Sequence, residues 1–148
     1  ACPPQRLRHA SCVVHAPRSL PHAAFPETIL VLGGYAGNML SPFRGQPLDG
    51  LNLLLFLQIT RSDASEIRWH EVEAAGSAPR NIYHHACAAF AGGRKVCVFG
   101  GDIPEDDPEF LRIEFREGAA FVYILDVDAL TWQVVRTGGA YPVWRSFP

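Results

Sequence analysis

Short runs of Val, Ile, Leu and Phe recur along this chain and are cut by Gly, Pro, Asp and Asn. Thr28-Ile29-Leu30-Val31-Leu32 leads into Gly33-Gly34, and Arg94-Lys95-Val96-Cys97-Val98-Phe99 leads into Gly100-Gly101. Apolar runs of that length, bounded by turn formers, predict strands rather than helices. Asn52-Leu53-Leu54-Leu55-Phe56-Leu57-Gln58-Ile59 has a counterpart in Ala120-Phe121-Val122-Tyr123-Ile124-Leu125-Asp126-Val127. Trp69-His70-Glu71-Val72 is matched by Trp132-Gln133-Val134-Val135. Two further runs, around His9 to Cys12 and His84 to Cys87, align when Cys12 is laid over Cys87 and His9 over His84. The prediction is an all-β chain built as two sets of four strands.

The two sets repeat with little change in spacing. From Gly33 to Gly100 is 67 positions, and from Trp69 to Trp132 is 63. Each tryptophan is followed seven residues later by a glycine, Gly76 or Gly139, and then by Pro79 or Pro142. A period of tens of residues with fixed Gly and Trp positions is the mark of a repeat architecture. The paired glycines suit a sharp turn or close backbone approach, which a residue without Cβ provides at no steric cost. The tryptophan offers a large apolar body for packing sheet on sheet.

On these residues the chain resembles the kelch repeat family. Gly33, Gly34 and Trp69 carry the signature in the first unit, and Gly100, Gly101 and Trp132 in the second. Pro4, Arg6 and His9 open one unit, Pro79, Arg80 and His84 the next, and Pro142 and Arg145 begin a third. In the second unit Leu125-Asp126 precedes Trp132 as the family pattern expects, although Leu125 stands where an aromatic is usual. The first unit departs further, with extra residues between its first two strands (16–26) and a lengthened third turn (61–66). The resemblance implies a fragment of a kelch β-propeller: blade one at 1–78, blade two at 79–138, and the opening of a third blade at 139–148. Two blades do not close a ring, so the remaining blades are expected elsewhere in a longer chain. Expressed alone, such a piece is expected to oligomerise or dissolve poorly, because apolar faces and strand edges stay uncovered.

Composition narrows the function. Of 148 residues, 48% are hydrophobic and 19% charged, which argues against disorder. The net charge of −2 gives no basic face for nucleic acid. The longest apolar run, 51–59, is too short to cross a bilayer as a helix. Cys2, Cys12, Cys87 and Cys97 show no C-x-x-C spacing. They read as buried small apolar residues, with a Cys87–Cys97 bridge between adjacent strands as the alternative. Without a disulfide framework, a cytoplasmic or nuclear location is expected. His84 and His85 are neighbours in a strand and point to opposite faces, so they cannot readily share a metal ion.

Both units carry a long insertion after the glycine pair, at 35–50 and 102–119. Insertions at one place in each repeat emerge on one face, often the binding face. The first holds Phe43 and Arg44; the second holds Glu105, Asp106, Asp107 and Phe110. The acidic run suits a basic partner or a solvated loop. By resemblance, Arg6, Arg80 and Arg145 either pair with acidic partner groups near the ring axis or hydrogen-bond neighbouring blades. There is no G-x-S-x-G, P-loop or H-E-x-x-H motif, so neither catalysis nor a cofactor is predicted. The expected role is a protein–protein interaction module. The resemblance extends this to the substrate-recognition part of an adaptor, such as a ubiquitin-ligase receptor. The alternative is a regulatory or substrate-binding propeller attached to an enzyme domain outside this chain.

Overall fold

A computed structural model describes residues 9–21, 24–34, 53–79, 83–102 and 121–138, and every regular element among them is a strand. The all-β prediction holds. Strands β1 (Ala10–His15), β2 (Glu27–Leu32), β3 (Leu53–Ile59) and β4 (Ile67–Glu73) form one antiparallel sheet in chain order. A two-residue strand, β5 (Ala75–Gly76), follows at once. The second sheet contains β6 (Tyr83–Phe90), β7 (Lys95–Asp102), β8 (Phe121–Asp126) and β9 (Thr131–Arg136), again antiparallel and in chain order. β5 belongs to this second sheet, where it runs parallel to β9 and forms its outer edge.

One hydrophobic core lies between the sheets. Val14, Leu30, Leu32, Leu54 and Phe56 come from the first sheet, and Val96, Val98, Leu125 and Trp132 from the second. Alternation explains the selection, since every second residue of a strand shares a face. In β3 that rule is exceeded: Leu54, Leu55 and Phe56 are all buried, as suits a strand flanked on both sides. Gln58 continues the inward face and donates from Nε2 to the Pro21 carbonyl at 3.0 Å, while Ala24 N–H donates to the Ile59 carbonyl at 3.3 Å. These two bonds fold the 16–26 connection back over the end of β3. Leu20, from the same connection, packs against the core.

Cross-strand pairing defines how the two sheets correspond. In the first sheet Val13, Ile29, Leu57 and Trp69 stand in one row. In the second the row is Ala89, Val96, Leu125 and Trp132. Both rows end in the repeated tryptophan opposite a leucine, and Ile29 and Val96 each lie four residues before a glycine pair. They are therefore the same row of the repeat, yet their surroundings are opposite. Val96 and Leu125 are fully buried and Trp132 is 4% exposed, whereas Val13 is 59% exposed.

The adjacent row behaves in the reverse way. Cys12, Leu30 and Phe56 of the first sheet line the core, with His70 in the same row. Their counterparts Ala88, Cys97, Ile124 and Gln133 lie on the uncovered side of the second. The sheets thus pack front to back rather than by a two-fold exchange of like faces. This is a heterologous contact; the outer face of the first sheet buries Val31 and Leu55 but leaves Val13 exposed. The register also corrects the sequence alignment of the first strands. Cys12 corresponds to Ala88, not Cys87, and Cys87 corresponds to Ser11. A slip of one residue exchanges the two faces of a strand.

Two glycines permit the closest approaches. Gly76 (φ 92°) pairs with Trp132, and a Cβ there would lie 2.3 Å from the Trp132 carbonyl oxygen. Gly93 (φ 76°) sits in the β6–β7 turn, where its carbonyl accepts a 2.9 Å bond from His15 N–H. A Cβ on Gly93 would stand 2.7 Å from that same nitrogen.

Candidate functional surface

Each sheet carries its longest connection at one end. Residues 33–52 leave β2 at Leu32 and return at Leu53, beside Ala10 and Glu73. Residues 103–120 leave β7 at Asp102 and return at Phe121, beside Tyr83 and Arg136. These ends lie together, because β1 packs on β6 and His15, at the end of β1, bonds Gly93 just past the end of β6, so the two strands start side by side. The opposite ends meet through the His15–Gly93 bond. Both long connections consequently spring from the same end of the two-sheet unit. That end is the candidate surface for recognition.

His85 closes the seam between the sheets at this end and is buried. Burial pushes its pKa down to about 4; the Leu32 backbone offsets part of that shift, and His9 adds a little to it. The ring is therefore neutral near pH 7. Among the described residues, neither of its nitrogens completes a hydrogen bond.

The opposite end is organised by turn chemistry. The Asp126 carboxylate accepts from Asp128 N–H at 3.1 Å and Ala129 N–H at 2.9 Å, and Lys95 Nζ lies 3.1 Å from its other oxygen. Those backbone bonds, with Lys95, hold its pKa below the usual carboxylate range. Leu130 completes the turn at φ 53°. In the first sheet the corresponding turn is longer, and Asp63 accepts from Ser65 N–H at 3.0 Å and from its hydroxyl at 2.6 Å.

The signature residues are placed as follows. Gly33 and Gly34 follow β2, buried, with φ of 56° and 92°. Gly100 (φ 66°) and Gly101 lie within β7, so in the second sheet the strand runs through the glycine pair. Trp69 is half-buried on the outer face of the first sheet, and Trp132 is in the core. Arg6, Phe43, Arg44, Arg80, Glu105, Asp106, Asp107, Phe110 and Arg145 lie outside the described residues.

The cysteines are arranged differently from the alternative raised by the sequence. Cys97 pairs with Ala88, and Cys87 with Val98, so Cys87 and Cys97 project from opposite faces and cannot bridge. Cys12, on β1, and Cys87, on β6, instead pack against the core from different sheets, and their interaction pushes the Cys12 thiol up and the Cys87 thiol down. His85, Gly93 and this cysteine arrangement were not evident from the sequence, because each depends on which face a strand presents. Among the described residues no three His, Cys, Asp or Glu side chains gather into a metal centre. None of the described residues forms a helix long and apolar enough to cross a membrane. Comparison with protein-family models and with curated proteins finds no match to this chain.

Proposed function

We propose that the chain is part of a kelch-type β-propeller that serves as a protein-interaction module, its two sheets being successive blades. The front-to-back packing carries this reading. The face of the second sheet that holds Val96, Leu125 and Trp132 is covered by the first sheet. The equivalent face of the first sheet is covered only in part: Val31 and Leu55 on it are buried, while Val13 and Ile29 stay exposed. Conversely, the second sheet leaves Phe99 (47% exposed) and Val135 on its own uncovered side. A front-to-back contact repeated around an axis gives each such face a mate, and a ring closes the series.

Long connections gathered at one end of rigid strands are a common way to present recognition residues. The proposed partner is another protein, held by the 35–50 and 102–119 insertions. On the family resemblance, the wider role is substrate recognition within a larger adaptor. The test uses the complete reading frame, with and without residues 102–119. Deletion should abolish recovery of specific binding proteins while leaving the thermal transition in place. Unchanged recovery would remove this surface from consideration.

A further inference from the structure

The two ends of the two-sheet unit carry the two halves of the contact that joins the sheets within it. On the outer side of the second sheet, Cys97, Phe99 and Ile124 stand where the first sheet has Leu30, Leu32 and Phe56. Those three first-sheet residues are fully buried, whereas Phe99 is 47% exposed. Phe90 and Val135, the counterparts of Val14 and Val72, are exposed on the same side. At the other end, Val13, Ile29, Leu57 and Trp69 repeat the row Ala89, Val96, Leu125 and Trp132, which docks within the chain. Val31 and Leu55 beside that row are already buried, and the open part is the row itself, with Val13 59% and Ile29 36% exposed. A repeat that ends an array carries a polar outer face. Neither sheet has one, so neither ends the series.

The connection between the sheets leaves a second matched pair. After β4 the chain crosses to the outer edge of β9, where Ala75 and Gly76 pair in parallel with Thr131 and Trp132. Gly138 and Gly139 follow Trp132 at the same distances as Ala75 and Gly76 follow Trp69. Arg68 and Trp69 hold the places of Thr131 and Trp132 in β4, which is the last strand of its sheet among the described residues. We propose that a second copy of this chain docks head to tail on the first. Its Val13, Ile29, Leu57 and Trp69 row seats on the Phe99 and Ile124 side of the first copy, and residues 138–139 of the first copy pair with Arg68 and Trp69 of the second. The occupant is the chain itself, because each end presents the half that the opposite end lacks, and the contact continues the one already made between its sheets. The proposal rests on the front-to-back packing and not on the recognition role given to 102–119.

Sedimentation velocity on the full chain is the test. The wild type should gain mass as its concentration rises. Ile29→Glu removes one half of the contact and Phe99→Glu the other, each at a side chain exposed in the single copy. Each should raise the dissociation constant about 100-fold or more, because the new charge is buried without a partner. An equimolar mixture of the two variants should form a dimer and stop there, since one intact pair of faces remains. A wild type that keeps the mass of one chain up to ~1 mM would overturn the proposal. So would assembly that survives either substitution, or a mixture that stays unpaired. If a variant fails to fold, alkylation of Cys97 in the wild type decides the matter. Cys97 lies on the docked side, so its reaction should slow as the mass rises. A rate that stays constant while the mass rises would put the contact elsewhere and overturn the proposal.

Discussion

Replacing Gly76 by alanine tests the seam where the chain passes from one sheet to the other. Gly76 lies at φ 92°, a conformation that costs an L-residue about 1–2 kcal/mol. The added Cβ would stand 2.3 Å from the Trp132 carbonyl oxygen and 3.1 Å from its nitrogen, both backbone atoms that cannot swing aside. Relief requires β5 to move away from β9, and that movement breaks the 2.9 Å bond from Ala75 N–H to the Leu130 carbonyl, a further ~1 kcal/mol. Gly76→Ala should therefore cost about 3 kcal/mol. With a urea m-value of ~2 kcal/mol/M, the midpoint falls by roughly 1.5 M. Gly92→Ala is the matched control, since Gly92 also has positive φ (66°) but nothing lies within 4 Å of its Cβ position. It should lose only the conformational part, ~1 kcal/mol. If the two variants unfold within ~0.5 kcal/mol of each other, the close approach of β5 to Trp132 is wrong.

Three other outcomes follow from the same geometry. Leu125→Ala should cost about 3 kcal/mol and its repeat counterpart Leu57→Ala about 1 kcal/mol, because only Leu125 lies within the sheet–sheet core; equal losses by denaturant titration would contradict the packing. His85 has a folded pKa near 4 against an ordinary 6.5, so its neutral form stabilises the fold fully above pH 6.5. That contribution fades as pH falls from 6.5 toward 4, with an upper limit of about 3 kcal/mol. His85→Gln should flatten the stability profile in that window, and a slope identical to wild type would argue against a buried neutral ring. Asp126→Ala removes two backbone acceptor contacts and should cost about 1–2 kcal/mol and speed amide exchange at Asp128 and Ala129; unchanged exchange there would refute the turn assignment.

The strands were legible because their residues repeat a local rule. Thr28 to Leu32, Leu53 to Ile59, Val96 to Phe99 and Phe121 to Asp126 combine β-branched and aromatic content with abrupt turn residues, and each lies in a strand. The direction each strand faces was less legible. Matching His9-Ala10-Ser11-Cys12 to His84-His85-Ala86-Cys87 follows shared letters, but pairing to β2 and β7 moves the correspondence by one residue. Letters carry identity, whereas the neighbouring strand sets register, and one step reverses the face. That step places Cys12 and Cys87 in different rows of the repeat.

Non-local features were also hidden. Ala75-Gly76 has no strand pattern of its own and becomes one only by pairing with β9, far along the chain. Gln58 reads as the polar end of a strand; it is fully buried because the 16–26 connection folds over it and supplies the Pro21 carbonyl. The positions chosen for partner binding sit in the long insertions, between β5 and β6 (Arg80) or beyond the outermost described strands, where pattern gives length and charge but no geometry.

Methyl NOE spectroscopy on the labelled chain tests the front-to-back arrangement most directly. Cross-peaks should join Val14, Leu30 or Leu54 to Val96, Val98 or Leu125, with none from Val13, Ile29 or Leu57 to the second sheet. Contacts from Ile29 or Leu57 to Val96 or Leu125 would place like faces together and contradict the arrangement.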